Sequence, residues 1–430
     1  MPARRIAIVG AGSAYLPGLI RGVLHRAADL AGSELVLHDL DGERLRLMAA
    51  LAGKMLMSAH AGLSVRREHA LPPALAGADF VLTTFRPGGM RARHLDESIP
   101  LRHGVVGQET AGPGGFLMAC RSVPVLLRIA RLLERLAPDA WIVNYTNPTN
   151  VVTDALLRHG GARIVGLCDQ HVGDQALWAG LLGWPAERLD ADWMGLNHAT
   201  WAERVRLDGR DASAELRERL ARLEPPRDAT PAVADLAGLG RLLGLLPNSY
   251  SRYYFFHDEV VAEQRAKGRT RAQEVMARLP ALYEDYAAAA AADRPEPSSE
   301  RGGAAHGDFA IDAICAIAGD ERRRMIVNTR NQGAIEGMEP EAVVEVPSIV
   351  GAGGPAPLAM GPLPRPVRGL TLAIHEYEWL AAEAAVSGSR RLALQALMAH
   401  PFVRSRRVAE AILDEGLAAH RDQLPQFFPG

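Results

Sequence analysis

The chain is poor in cysteine, nearly neutral and without a long apolar run. Three cysteines in 430 residues cannot build a disulfide scaffold, and so low a count points to a reducing compartment, the cytoplasm. Against 48 basic side chains stand 50 acidic ones, a formal net charge of −2. That balance lacks the electrostatic footprint of a nucleic-acid binder. The uncharged stretch Ile6 to Ile20 is interrupted by Gly10, Gly12, Pro17 and Gly18. It falls short of the roughly 20 apolar residues of a membrane span. No small-residue cleavage site closes it, so Arg4 and Arg5 do not open a convincing signal peptide. No internal repeat is present, and neither nucleic acid nor membrane is expected as a partner.

What is present is 48% hydrophobic residues and 42 glycines. At roughly 100–200 residues per domain, the length suits two or three domains. Over the first 170 residues, Arg5–Val9, Glu34–Asp39, Asp79–Phe85, Trp141–Tyr145 and Arg163–Leu167 read as buried strands. Between the third and fourth, Leu126, Ile129, Leu132, Leu133 and Leu136 share one helical stripe. This alternation predicts an α/β, doubly wound, Rossmann-like domain with a parallel sheet covered on both faces. Further on, Ala/Leu/Arg/Glu-rich stretches dominate at Ala214–Leu223, Val260–Ala292 and Leu370–Ala419, with Asp293–Glu300 as a surface loop. The predicted organisation is a nucleotide-binding domain over 1–190 and a mixed α+β, mostly helical domain over 191–430. The active site would lie in the cleft between them.

Gly10-Ala-Gly12-Ser13 follows the first strand, and Asp39 ends the second. Glycines let backbone approach a pyrophosphate, and an acidic residue accepts ribose hydroxyls. Gly10, Gly12, Ser13 and Asp39 are therefore the candidate cofactor-binding set, and Asp39 favours NAD over NADP. Tyr15 replaces the third glycine of the usual fingerprint, so a plain tight turn is the other reading. Four glycines between Gly107 and Gly115 imply close backbone approach or a flexible connector. Upstream, Arg91 and Arg93 either bind an anion or are solvated. Asn147-Pro148 lies past a strand end, where open sheets hold ligands, and is also a turn signal. Cys168, Asp169 and His198 combine a thiol, a carboxyl and an imidazole suited to a divalent metal. Cys120 and Cys315 read as small buried hydrophobes. Asn248–Phe256 holds three of the eight tyrosines. A tyrosine base needs a metal or a cation such as Arg252 to lower its pKa; aromatic packing is the alternative.

In this order the segments resemble the family 4 glycoside hydrolases, the NAD- and metal-dependent class. The resemblance runs through Gly10–Pro17, Gly107–Gly115, Asn144–Pro148, Gly166–Asp169, Gly195–His198, Tyr250–Tyr254, Arg301–Ala304 and Val327–Gly333. It implies a lactate/malate dehydrogenase-like architecture, NAD, and Mn²⁺ or another divalent metal held by Cys168 and His198. It implies that Asp169 is the acid of α-specific members, that Tyr250 (with Tyr253 in reserve) is the base, and that Glu109 strengthens that base. Arg93, Asn147 and Arg271 match substrate-binding positions, with Arg271 near a sugar phosphate. The implied reaction is hydride removal at C3, deprotonation at C2 with the metal as Lewis acid, elimination of the aglycone, addition of water and hydride return. The substrate would be a small anionic glycoside, a 6-phosphoglucoside, and the enzyme a homodimer or homotetramer. Two departures bear on the substrate. Gln170-His171-Val172-Gly173 replaces a run with proline, and His306-Gly307 stands where an aromatic–Ser pair is usual. His171 either adds charge near an anionic sugar or caps a helix.

Three other readings remain at this point. An ordinary 2-hydroxy-acid dehydrogenase would use a His–Arg pair and no metal. A family member could act on a non-phosphorylated galactoside, glucoside or uronide. An NAD-binding sensor predicts a damaged site, whereas Cys168, Asp169, His198 and Tyr250 all stand.

Overall fold

The computed structural model describes residues 1–301 and 304–428; Gly302 and Gly303 of the Arg301–Ala304 motif lie outside them. Six parallel strands open the chain: β1 (Arg5–Val9), β2 (Glu34–His38), β3 (Ser64–Glu68), β4 (Phe80–Thr83), β5 (Trp141–Asn144) and β6 (Arg163–Gly166). They lie in the order β3-β2-β1-β4-β5-β6, the doubly wound arrangement with its switch point between β1 and β4. Successive side chains alternate between two cores, as the two-residue strand period requires. Ile6, Ile8, Leu35, Leu37, Leu82, Val143 and Val165 enter one; Ala7, Val9, Val36, Val81, Ile142 and Ile164 enter the other. Both faces are covered by helices, so these strands read as continuous apolar runs. Each large side chain so buried contributes about 1.5–3 kcal/mol. Cys120 and Cys315 are fully buried, one in each core, as their composition suggested.

β3 has no apolar signature because it is the sheet edge. Arg66 reaches across to Glu34 at 3.0 Å, and charge on an edge strand blunts pairing with other chains. In the second half, Arg323–Arg330 pairs antiparallel with β6 at Asn328 opposite Gly166. Val343–Gly351, Met194–Leu196, Ala199–Ala202 and Leu246–Pro247 continue the same sheet. One sheet therefore runs through both halves. The long helical stretches are divided where glycine takes a left-handed conformation: Gly268 (φ 66°) separates His257–Lys267 from Arg271–Ala291, and Gly388 (φ 68°) ends Arg365–Ser387. The helix Arg271–Ala291 starts on a capping box in which Thr270 and Gln273 satisfy each other's backbone N–H groups. That fixes the direction of a helix running from Arg271 to the glycine turn, which its Tyr283 and Tyr286 hydroxyls reach.

Candidate active site

The glycine turn leaves β1 with Gly10 at φ 97°, where a Cβ would lie 2.6 Å from the Thr84 carbonyl oxygen. A Cβ on Gly12 would lie 2.8 Å from the Asp39 carboxyl. The Gly12 N–H donates to Asp39 Oδ2 at 2.8 Å and the Asp41 N–H to Oδ1 at 2.9 Å, so Asp39 is held against the turn. Ser13 Oγ accepts from the Tyr15 N–H at 3.3 Å. From the helix Arg271–Ala291, the Tyr283 and Tyr286 hydroxyls donate to the carbonyls of Gly12 (2.8 Å) and Ala14 (3.0 Å). The Arg44 guanidinium lies 4.9 Å from the Tyr283 ring centre, and that of Arg301 4.9 Å from Tyr15. A turn with no room for side chains, flanked by two cations, fits a pyrophosphate. Tyr15, in place of the third glycine, serves as the platform for Arg301.

Cys168 follows β6, and His198 sits at the tip of the hairpin Met194–Ala202 with φ 64°. Its Nε2 lies 3.6 Å from Cys168 Sγ. Two ligands of one ion, with bonds of about 2.0–2.3 Å, are spaced by roughly that distance. The Thr110 hydroxyl donates to Gln108 Oε1 at 3.0 Å and therefore accepts from His198 Nδ1–H at 3.1 Å. This network assigns the proton to Nδ1 and leaves the Nε2 lone pair free. Burial pushes His198 down to about 3, so the ring is neutral. Burial, together with the charges of Glu345 and Asp169, pushes the Cys168 thiol well up; a bound cation would reverse that. Behind them the Asn197 amide donates to Glu345 Oε2 at 2.6 Å, and burial raises Glu345 to about 7. The donor set fits a divalent ion.

The Tyr250 ring stacks on His198 with centres 3.9 Å apart. Tyr253 meets Tyr250 edge-on at 5.4 Å. Both line a cavity of about 390 Å³ together with Arg93, Glu109, Lys267, Arg269 and Arg271. Burial, then Tyr253 and Glu109, hold Tyr250 well above its usual pKa. Arg252 is not the cation that relieves this: it is spent on Asp235 (2.7 Å) and Glu263 (2.9 Å). Tyr254 packs on Phe402 at 4.8 Å, so the aromatic-packing reading holds for that residue.

Glu109 is clamped between Arg93, at 2.9 Å, and Arg86. Arg93 also bonds Glu97 at 2.7 Å, so its charge is shared between two carboxylates. Lys267, Arg269 and Arg271 all reach Glu274, at 2.8, 3.3 and 3.2 Å; three cations on one carboxylate leave the cavity wall positive. The glycines at 107, 114 and 115 are packed: a Cβ there would lie 2.2–2.5 Å from the carbonyl oxygens of Glu97, Gln108 and Thr110. The flexible-connector reading therefore fails, because close backbone approach is what aims Glu109 and Thr110 inward. Asn147 lies past β5, accepts from Thr149 Oγ1 at 3.2 Å, and is not part of the cavity lining.

Asp169 precedes the helix Gln170–Leu182 and accepts from His306 Nδ1 at 3.0 Å. Burial works to raise its pKa, but the His306 hydrogen bond and charge outweigh it and the net shift is downward. His171 is buried edge-on to Phe309, and burial lowers it to about 4. It is neutral, so the reading of His171 as an extra positive charge is corrected. Arg86, Thr110, Lys267, Arg269 and Glu345 were not singled out from sequence. Arg86 had a signal in its place just past a strand end, and Lys267 and Arg269 in their spacing before Arg271.

A family model described as "Family 4 glycosyl hydrolase" matches residues 5–183, and its "Family 4 glycosyl hydrolase C-terminal domain" matches residues 193–403. The chain is 38% identical to the "Probable 6-phospho-beta-glucosidase" of Bacillus subtilis (strain 168), over 99% of this chain and 98% of that protein. It superposes on a 6-phospho-alpha-glucosidase from gut microorganisms, solved with NAD and glucose-6-phosphate, with TM-score 0.88 at 29% identity, covering 99% of each chain. It likewise superposes on the 6-phospho-beta glucosidase of Thermotoga maritima, solved with manganese, NAD⁺ and glucose-6-phosphate, with TM-score 0.86 at 29% identity, covering 98% of this chain and 99% of that one. The glycine turn, the Cys168–His198 pair and the tyrosine beside it thus belong to a chain matched along nearly its whole length: the chain belongs to the family 4 glycosyl hydrolases.

Proposed function

We propose that the protein hydrolyses a 6-phosphoglucoside with NAD and Mn²⁺, or another divalent ion, as cofactors. The observation that carries the reading is the Cys168–His198 pair, 3.6 Å apart, with Tyr250 stacked on His198 at the head of a cationic cavity. When bound, NAD supplies a hydride acceptor and donor for C3, and the metal a Lewis acid for the sugar oxygens. Gly10, Gly12, Ser13 and Asp39 would hold the dinucleotide, and Cys168 and His198 the ion. Lys267, Arg269 and Arg271 hold the 6-phosphate. Tyr250, with Glu109 beside it, takes the C2 proton once the neighbouring carbon is a ketone. Asp169 serves the departing glycosidic oxygen, and Arg93 and Asn147 orient the sugar. An ordinary dehydrogenase lacks a reason for the cysteine–histidine pair.

The division of labour is a dinucleotide domain over 1–190 and a substrate and metal domain over 191–430. A phosphorylated substrate and three free thiols support a cytoplasmic enzyme, and we place it as a homodimer or homotetramer. No helix among the described residues is long and apolar enough to cross a membrane. The test is a panel of p-nitrophenyl α- and β-glucosides, with and without 6-phosphate, in the presence of NAD⁺ and Mn²⁺. Release of nitrophenol that needs the phosphate, NAD⁺ and the metal is expected, with exchange of the C2 proton in D₂O. Turnover untouched by chelation and by NAD removal would falsify the reading.

A further inference from the structure

His306 departs from the residue type usual at its place, and the structure gives that departure a partner. Its Nδ1 makes the only side-chain hydrogen bond to Asp169 among the described residues, 3.0 Å to Oδ2. Tyr145 stacks on one face of the imidazole at 4.1 Å and 23°, and Tyr15 approaches at 5.0 Å. The Tyr145 hydroxyl donates to the His306 carbonyl oxygen at 3.0 Å, so ring and backbone are both held. Nε2 is buried and has no hydrogen-bond partner among the described residues. The imidazole is 14% exposed and the Asp169 side chain 36%. The ring is thus the inner member of the pair, and the carboxyl is the one open to solvent.

We propose that His306 is a positioning residue for protonation of the leaving group: its Nδ1–H holds Asp169 Oδ2 so that the other carboxyl oxygen serves the glycosidic oxygen. The inference rests on the glycosidase reading above. In the step it serves, the solvent-exposed Asp169 carboxyl takes up a proton from water, and that O–H bond then breaks as the proton passes to the glycosidic oxygen. The C1–O bond breaks at the same time, and its electron pair stays on that oxygen. The pair from the C2–H bond, whose proton Tyr250 takes, forms the C1=C2 double bond. Asp169 is left as a carboxylate. The fixed Nδ1–H acts by orientation: it holds the carboxyl in one rotamer, so that the other oxygen and not Oδ2 meets the glycosidic oxygen. A phenylalanine would keep the stack on Tyr145 but offers no donor at that edge.

The experiment compares methyl and p-nitrophenyl glucoside 6-phosphates, of whichever anomer the wild-type enzyme cleaves, with NAD⁺ and Mn²⁺ present. p-Nitrophenolate leaves without a proton, whereas methoxide requires one. His306→Phe is expected to lose about 10–100-fold in kcat on the methyl glycoside and less than about threefold on the p-nitrophenyl one. Asp169→Asn sets the upper limit, with the same selectivity and a larger loss. His306→Asn, whose amide can also donate to Oδ2, recovers most of the methyl glycoside activity. Equal losses on the two substrates in His306→Phe overturn the proposal, as does an Asp169→Asn variant without leaving-group selectivity. A wild-type enzyme that cleaves neither substrate overturns the glycosidase reading and this inference with it, an outcome visible before any variant is made.

Discussion

The imidazole of His198 lies flat on the phenol of Tyr250, ring centres 3.9 Å apart and planes within 5°. Thr110 fixes the tautomer of that imidazole from behind, so a metal-ligand candidate and a base candidate form one rigid unit. With Arg252 spent on Asp235 and Glu263, an ion at His198 Nε2 is a charge that would bring Tyr250 down from its raised pKa. Tyr250→Phe should then lower C2-proton exchange in D₂O by about 100-fold or more. Tyr253→Phe should change it by less than about fivefold. Proton NMR of the sugar during incubation reads both, and the reverse order would make Tyr253 the base.

Metal affinity should depend on pH in one direction. Burial keeps His198 neutral above about pH 3, so it costs no proton in the working range. The Cys168 thiol is pushed up and must lose its proton to bind. Mn²⁺ affinity is therefore expected to rise about tenfold per pH unit between pH 6 and 8. Electron paramagnetic resonance of free Mn²⁺ measures it. A flat profile would mean that Cys168 is not a ligand, and Cys168→Ser should flatten it.

Tyr283, on the helix that begins at Arg271, braces the proposed dinucleotide turn: its hydroxyl holds the Gly12 carbonyl at 2.8 Å and its ring carries Arg44. Tyr283→Phe removes one hydrogen bond and keeps the ring. A loss of about 0.5–1.5 kcal/mol is expected, which weakens NAD⁺ binding about two- to tenfold and leaves Mn²⁺ affinity unchanged. Calorimetric titration with NAD⁺ decides it.

Asp96 bonds Arg121 through both oxygens, at 2.8 and 2.6 Å, and meets His420 at 3.1 Å, with all three side chains fully buried. The triad ties the helix that carries Arg93 to the long helix Gly112–Leu136 and to the C-terminal segment. Arg121→Met is expected to cost about 3–5 kcal/mol in denaturant unfolding at pH 7, because it strands a buried carboxylate. Burial raises the Asp96 pKa, but Arg121 and His420 outweigh it and the net shift is downward. Its stabilisation is therefore present above the unfolded pKa of about 3.9 and lost as pH falls through the lower folded value. The wild type should converge on the variant only in acid.

Much of the candidate site was legible because its parts are short and local. Gly10, Gly12 and Asp39 mark strand ends, and Cys168 and Asp169 another, since an apolar run followed by glycine or a polar residue is a local pattern. Arg86 and Thr110 were not legible in the same way. Each matters through one contact, Arg86 with Glu109 and Thr110 with His198, and no spacing in the chain announces those contacts. β3 and the strands near Val343 were missed for opposite reasons: one is an edge too polar to look buried, the other a buried run with no helix or turn period to set it apart.

By itself the sequence determined the alternating strands and helices, the glycine turn with its acidic partner, and the residue types able to hold a metal. Those follow from backbone sterics and from partition between water and core, which act over a few neighbouring residues. Only the tertiary structure decided that Tyr250 rather than Tyr253 faces His198, that His171 is buried and neutral, and that His306 meets Asp169 across 137 positions of chain. Charge, tautomer and pKa depend on what the fold brings within a few ångströms, and in this protein those neighbours stand 52 positions apart for His198 and Tyr250 and 137 for Asp169 and His306.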